Sequence, residues 1–386
     1  MRPLVSILIP AYNAERWISD TIQSALKQTW PRKEIIVVDD GSRDQTLRVA
    51  RQFASKNVCV VTQENQGASA ARNKAFELCQ GDFIQWLDAD DLLAFEKIAK
   101  QMKAAEECQG KRALFSSAWG TFMYRVSKAE FSRTSLWCDL SPVEWLMRKM
   151  GQNLHMPPAT WLVPRELAEA AGPWDTRLSL DDDGEYFSRV ILASNAIRFV
   201  PDAKAFYRAS GFGSLSSIDE SDKKLVSQFL SMLLHVGYVR SLEDSERVRT
   251  ACLNYLQRRF HRFYPERVAF VEQLQQIAGN LGGRLEPPQL WWKYSWIQKV
   301  FGWKAAKRAG RYYNRCKSAA VRFWDKILFH VEESNLQIAR RDKSPLVKRS
   351  SVETEVGDLK ELDRMSSGGS GVGCSRQRRR TATKAF

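Results

Sequence analysis

The chain has 386 residues, 44% of them hydrophobic, seven cysteines and a net charge of +15, an ordinary soluble composition long enough for two or three structural units. The cysteines at 59, 79, 108, 138, 252, 316 and 374 are scattered and include no C-x-x-C pair, so neither a disulfide framework nor a zinc site is expected, and a reduced cytoplasmic setting fits. His155, His235, His261 and His330 are too dispersed in sequence to read as a ligand cluster.

The apolar run Leu4 to Ile9 stops at Pro10 with no small-residue cleavage site behind it, so it reads as a first β-strand rather than a secretion signal. The helix after it buries Ile18, Ile22, Ala25 and Leu26. Ile35 to Val38 is a second strand, and Ser42 with Gln45 resembles a capping box opening a helix towards Ser55. Val58 to Val61 is a third strand, followed by a helix from Ala68 to Cys79 with Gly81 as its stop. Phe83 to Leu87 is the fourth. This alternation predicts βαβ units and a mainly parallel sheet.

Polar clusters fall just after the strands, at Pro10 to Asn13, Asp39 to Ser42, Gln63 to Gly67 and Asp88 to Asp91. In open α/β sheets ligands bind outside the carboxyl ends of strands, so these loops are expected to converge on one pocket. Asp88, Asp90 and Asp91 place carboxylates where a hard divalent cation could sit among oxygen ligands. The same acidic loop also suits a helix cap.

Leu114 to Tyr124 is strand-like, and Ser141-Pro142-x-Glu144 opens a helix that Gly151 is expected to stop. A second acidic cluster, Asp181-Asp182-Asp183-Gly184-Glu185, enters a helix expected to begin near Glu185, so it too could be a cap. Residues 219 to 275 look helical. Charge is unevenly spread: residues 1 to 100 hold 13 Lys/Arg and 13 Asp/Glu, whereas 291 to 330 hold ten Lys/Arg against Asp325 alone. Trp291, Trp292, Trp296, Trp303 and Trp324 interleave with those cations, which suits either an anionic membrane surface or packing on the preceding domain. No run of about 18 apolar residues is present, so membrane contact would be peripheral, on the inner face. Nucleic-acid binding is not expected, because the N-terminal part is neutral and carries no RNA-binding signature.

Along residues 4 to 190 the chain resembles the family 2 glycosyltransferases of GT-A fold. The resemblance rests on Val5-Ser6-Ile7-Leu8-Ile9-Pro10-Ala11-Tyr12-Asn13, Glu34-Ile35-Ile36-Val37-Val38-Asp39-Asp40-Gly41-Ser42, Asn65-Gln66-Gly67-Ala68-Ser69-Ala70-Ala71-Arg72-Asn73 and Phe83 to Asp91. It implies an inverting, metal-dependent transfer from a nucleotide diphosphate sugar to a hydroxyl acceptor, glycan or lipid-linked, in glycan, glycolipid or cell-envelope polysaccharide biosynthesis. Pro10, Ala11, Tyr12, Asn13, Asp40, Gly67, Arg72 and Asp88 would hold the nucleotide. Ala11 and Tyr12 would pack on the base and Asp40 would accept its imide N–H, which favours a UDP-sugar and then a thymidine one. Asp90, with Asp88, would bind Mn²⁺ or Mg²⁺, and Asp183, with Asp182 next, would be the general base. The Q-x-x-R-W motif of processive members is missing, so transfer of one or a few sugars is expected; Arg208 and the Ser-rich segment 210 to 217 would border the acceptor.

The expected organisation is a GT-A domain over 1–215, a helical, basic and Trp-rich region over 216–330 and a disordered tail over 331–386. A non-catalytic nucleotide-sugar-binding scaffold at the membrane is the rival reading.

Overall fold

The computed structural model describes residues 2–108, 112–209, 221–288 and 292–342. Its first compact unit, Met1–Asn335, begins with β1 (Val5–Ala11), α1 (Ile18–Leu26), β2 (Lys33–Asp39), α2 (Thr46–Arg51), β3 (Val58–Thr62), α3 (Ala68–Leu78) and β4 (Phe83–Trp86). There follow β5 (Leu92–Leu93), α4 (Lys97–Glu107), β6 (Ala113–Phe122), α5 (Pro142–Gln152), β7 (Val163–Pro164), α6 (Arg165–Ala171), α7 (Asp182–Ala193) and β8 (Ala196–Arg208). The helices α8 (Asp222–Leu242), α9 (Glu246–Phe260), α10 (Val268–Asn280) and α11 (Trp292–Asp342) complete the order. A second unit spans Leu336–Phe386, of which residues up to Asp342 are described, as helix.

The main sheet runs β3-β2-β1-β4-β7, parallel except for β7. After β1 the chain builds outward to β3, then returns to lay β4 on β1's other side. The order therefore switches between β1 and β4, and in such sheets the crevice for ligands opens at that switch. Strand alternation divides the core: Ile7, Ile9, Ile35 and Val37 pack with Ile18, Ile22 and Ala50 on one face. Leu8, Ile36, Val38 and Trp86 pack with Ala71, Ala75, Tyr186 and Val190 on the other.

A second sheet, β5-β8-β6, extends this frame. Its short strand β5 follows directly on Asp88–Asp91 and pairs with β8 through Leu92 and Phe206, so the end of β8 is brought to the acidic loop.

Several local expectations change. The helix expected from Ser42 starts at Thr46, and Asp44 rather than Ser42 accepts from Thr46 N–H at 2.9 Å. Ser42 instead accepts from Asn13 N–H, so the loops after β1 and β2 are braced together. Ser141 caps α5 as expected, but the helix passes Gly151 and stops at Asn153, whose φ of 55° is left-handed. The stripe of α1 buries Ile18, Ile22 and Ala25 while Leu26 stays exposed. The acidic helix α7 opens at Asp182, not near Glu185.

Leu225, Met232, Tyr255, Phe260 and Leu274 from α8, α9 and α10 lie in the same core as Trp86 and Tyr186, so packing does not divide at residue 215. Helix α11 is broken at Gly302 (φ 79°) and continues past Val331 through Asp342, while the remainder of the expected tail, 343–386, lies outside the described residues. The tryptophans there divide. Trp303 packs on Tyr264 and Phe329 on Tyr124, but Phe323 and Trp324 are each 62% exposed. Trp291 and the side chains of Trp292 and Trp296 lie outside the described residues, as does the Ser-rich segment 210–217.

Candidate active site

The first loop divides its residues between core and pocket. Pro10 and Ala11 are buried strand residues, with Ala11 C=O accepting from Asp40 N–H, whereas Tyr12 is 43% exposed at the strand's end. Asn13, also exposed, accepts through its side chain from Arg43 N–H at 2.8 Å.

Asp40 is 2% exposed, and its carboxylate accepts from Gln63 Nε2 and from the backbone N–H groups of Gln66 and Gly67, all within 2.9 Å. A carboxylate offers about four acceptor sites, so three of Asp40's are spent on shaping the loop between β3 and α3. Its neighbour differs. Asp39 Oδ2 meets Ser42 N–H and Thr62 Oγ1, but Oδ1 is buried with no protein partner. Gly67, the N-cap of α3, has a φ of 95°, and a side chain there would find open space on the protein side.

Two arginines fix the acidic loop from below. Arg72 on α3 is not an exposed helix cation but a buried clamp: Nη2 donates to Asp88 at 2.8 Å and Nη1 to Asp182 at 2.7 Å. Its guanidinium also lies 4.3 Å from the centroid of Trp174. Burial disfavours its charge, yet the carboxylates of Asp88, Asp182 and Asp183 outweigh that and raise its pKa further. Arg208 was expected beside the acceptor. It is 3% exposed, held between Trp17 and Phe122, and donates through Nε to Asp90 C=O and through its backbone to Asp91 Oδ1.

The second acidic cluster lies at the start of α7. Asp181, at φ 61°, precedes the helix above a buried polar group formed by Lys149, His235 and Ser231. Lys149 Nζ donates to Gly184 C=O and lies 2.9 Å from His235 Nε2. With Nε2 accepting, Nδ1–H donates to Ser231 C=O. Burial and Lys149 hold His235 down to about 4, so it is neutral. Burial alone would raise Asp181, but His235, Lys149, Arg259 and the Ser231 hydroxyl keep its carboxyl below the usual range. The Asp181 side chain folds over Gly184, where an added Cβ would collide with its carboxylate.

Asp182 Oδ2 is taken by Arg72 and Ser69. Asp183 is not: Oδ1 accepts from Gly184 N–H, and Oδ2 lies 4.0 Å from His155 Nδ1. Burial, then the charges of Asp182 and Asp181, push the Asp183 carboxyl up to about 7. A carboxyl in that range is matched to taking a proton near neutral pH.

For a divalent cation the donors are hard oxygens on Asp88 and Asp90. Asp91 is committed to Arg208, and its buried Oδ2 has no protein partner. Among the described residues no three His, Cys, Asp or Glu converge as a complete cage. A pair of carboxylates completed by substrate diphosphate oxygens is the usual pattern for magnesium-type sites, so the residue types fit such an ion.

The loops after β1, β2 and β3 are joined through Asn13 with Ser42 and Asp40 with Gly67, and Arg72 ties Asp88, in the loop after β4, to Asp182 across 94 positions of chain. The unpartnered Asp39 Oδ1, the pinning role of Arg208 and the approach of His155 to Asp183 were missed. Each depends on a partner far away in sequence, and no local spacing announces it.

Residues 6–141 match the family model described as Glycosyl transferase family 2. Over that stretch the chain is similar to family 2 of the glycosyltransferases. An uncharacterized glycosyltransferase of Rickettsia typhi is 39% identical over 200 residues, covering 50% of this chain and 60% of that one. The Escherichia coli UDP-Glc:alpha-D-GlcNAc-diphosphoundecaprenol beta-1,3-glucosyltransferase WfgD is 42% identical over 100 residues, 26% of this chain and 40% of its own. A putative teichuronic acid biosynthesis glycosyltransferase, TuaG of Bacillus subtilis, is 43% identical over 105 residues, 26% of this chain and 42% of its own. The chain therefore spans only 40% to 60% of the length of these relatives. The crystal structure of S. aureus TarS 1–349 in complex with UDP-GlcNAc superposes with a TM-score of 0.56 at 19% identity, covering 72% of this chain and 80% of that one. The shared fold is thus the GT-A arrangement with a helical region behind it.

Proposed function

We propose that the chain is an inverting glycosyltransferase that moves a sugar from a UDP-sugar to a hydroxyl of a glycan or lipid-linked acceptor in cell-envelope polysaccharide assembly. The observation that carries this is the Arg72 clamp, which holds the acidic motif after β4 beside the one that opens α7. Donor diphosphate and acceptor base then share one crevice.

The acceptor oxygen attacks C1 of the sugar while its proton passes to Asp183 Oδ2. The bond from C1 to the phosphate oxygen breaks on the opposite face, and its electron pair leaves with UDP. A sugar hydroxyl is far too weak an acid to ionise alone near neutral pH, so the base works as the new bond forms. When bound by Asp90 and Asp88 with the diphosphate, Mn²⁺ or Mg²⁺ would act as a Lewis acid on the leaving group. Tyr12 stacks on the base, Gly67 admits the nucleotide close to the backbone, and Asp39 Oδ1 accepts the uracil imide N–H while Asp40 keeps the surrounding loop in shape. Uracil and thymine carry that imide hydrogen; guanine and cytosine do not present it in the same place. A non-catalytic scaffold would have no use for a base tuned near neutrality.

The exposed face of α11 is proposed to rest on an anionic membrane. No described helix is long and apolar enough to cross one. Val321, Trp324, Leu328 and Val331 recur at helical spacing and are 43% to 62% exposed, and the same helix carries Arg308, Arg315 and Arg322 seven residues apart. Asp325 and Glu332 pair with Arg125, and Phe329 packs on Tyr124.

Thermal-shift measurements with UDP-, dTDP-, GDP- and CDP-sugars, each with and without Mn²⁺, test the donor assignment, because a ligand that binds the folded chain raises its apparent stability. Selective stabilisation by UDP-sugars and sugar transfer lost in Asp183→Asn are expected. A preference for GDP-sugars would reject it.

A further inference from the structure

Next to the base stand three aromatic rings, one of which, Trp119, is only partly packed against the core. Trp119 on β6 and Tyr207 on β8 lie on one face of the second sheet, since Tyr207 pairs in register with Thr121, two residues beyond Trp119. Their centroids are 6.0 Å apart at 82°. His155, from the segment after α5, completes a triangle, 5.5 Å from Trp119 at 80° and 5.8 Å from Tyr207 at 76°. The imidazole is 48% exposed, with Nδ1 4.0 Å from the Asp183 carboxylate. Trp119 is partly exposed, yet its indole N–H is buried without a protein acceptor.

An exposed ring beside a general base is an unusual use of apolar surface unless something flat covers it. A pyranose in its chair form has that shape: axial C–H bonds give it an apolar face, and equatorial hydroxyls give it a polar rim. Aromatic faces are negative and attract slightly positive C–H groups, while a few convergent polar atoms orient the rim. The His155 imidazole nitrogen suits such a rim, and Asp183 stands where one hydroxyl must give up its proton.

We propose that Trp119, His155 and Tyr207 form the acceptor-sugar subsite, seating a pyranose ring with its attacking hydroxyl at Asp183. The proposal rests on Asp183 being the base, and so on the function proposed above. It narrows the acceptor class: the terminal group is a sugar ring rather than a polyol phosphate, a protein serine or a lipid hydroxyl.

Saturation-transfer NMR on the full chain with UDP and Mg²⁺, using methyl β-glucopyranoside and methyl N-acetyl-β-glucosaminide as probes, tests it. We expect at least one probe to bind, with its axial C–H protons receiving more saturation than its rim. His155→Ala should weaken that binding about tenfold, the scale of one lost aromatic contact, and His155→Phe should restore it. Tyr207→Ala should weaken it as well. Neither pyranoside binding the wild-type chain, or unchanged binding by His155→Ala, would overturn the subsite. UDP titration of the same samples reports separately on the donor pocket: UDP binding without pyranoside binding sinks the subsite alone, and failure of UDP to bind sinks the donor assignment.

Discussion

Asp182 and Asp183 carry the same carboxyl one residue apart, yet Arg72 and Ser69 occupy the first, while the second faces His155 with its pKa lifted to about 7. Turnover should therefore rise with pH through about 7, as Asp183 sheds its proton. Asp183→Asn should cut turnover by at least about a hundredfold and flatten that profile, with donor affinity nearly unchanged. The same carboxyl affects stability. It stays protonated up to about pH 7 in the folded chain but only to about pH 4 when unfolded, so between these values the folded state holds the extra proton and loses stability as pH rises. Asp183→Asn should accordingly melt higher than wild type at pH 8 and at nearly the same temperature at pH 4. Equal melting at both would remove the burial argument. Asp39 and Asp40 separate in the same manner. Asp39→Asn places an amide at the one unpartnered oxygen and should weaken UDP binding without loss of stability, whereas Asp40→Asn should lower thermal stability first, because it turns an acceptor towards three donors into a partial one. Isothermal titration with UDP beside a melting curve distinguishes them.

Helices α3 and α7 belong to different βα units, and Arg72 straps them through two carboxylates at once. Lysine is a point charge and cannot reach both in that fork. Arg72→Ala leaves Asp88 and Asp182 facing each other uncompensated and should cost about 3 kcal/mol in urea unfolding, near the lower end for a broken buried ion pair. Arg72→Lys should recover part of the stability while transfer stays low. A fully active, stable Arg72→Lys would mean the clamp does not set the distance between the motifs. The sequence placed Arg72 on a helix near the pocket and left its exposure open. That was the natural limit, since a helical arginine with no local acidic neighbour looks the same from composition whether it faces water or two carboxylates.

At the scale of the whole molecule, the helices behind the GT-A fold divide between core and surface. Those of 222–280 complete the core under α5 and α7, and α11 keeps its aromatics Phe323 and Trp324 outside. Cations near an anionic surface contribute about 1 kcal/mol each, and a large apolar side chain roughly 1.5–3 kcal/mol on burial, so both kinds of residue should matter. Phe323→Ser with Trp324→Ser should reduce sedimentation with phosphatidylglycerol vesicles by at least about tenfold, and salt should weaken the wild-type interaction. Binding to neutral vesicles that equals binding to anionic ones would contradict the electrostatic part.

The strand pattern, the family resemblance and the acidic motifs were all legible because they are local: a β-branched run, a glycine after an aspartate, a carboxylate at the end of a strand. Their convergence followed from a general property of parallel sheets. What each carboxylate does was decided only in three dimensions. Asp88 and Asp182 stand far apart in sequence, Arg208 reaches the acidic loop from the end of β8, and His155 approaches Asp183 from the segment after α5. A carboxyl's acidity and availability depend on burial and on the charges and donors around it, and those neighbours are chosen by packing, not by spacing along the chain.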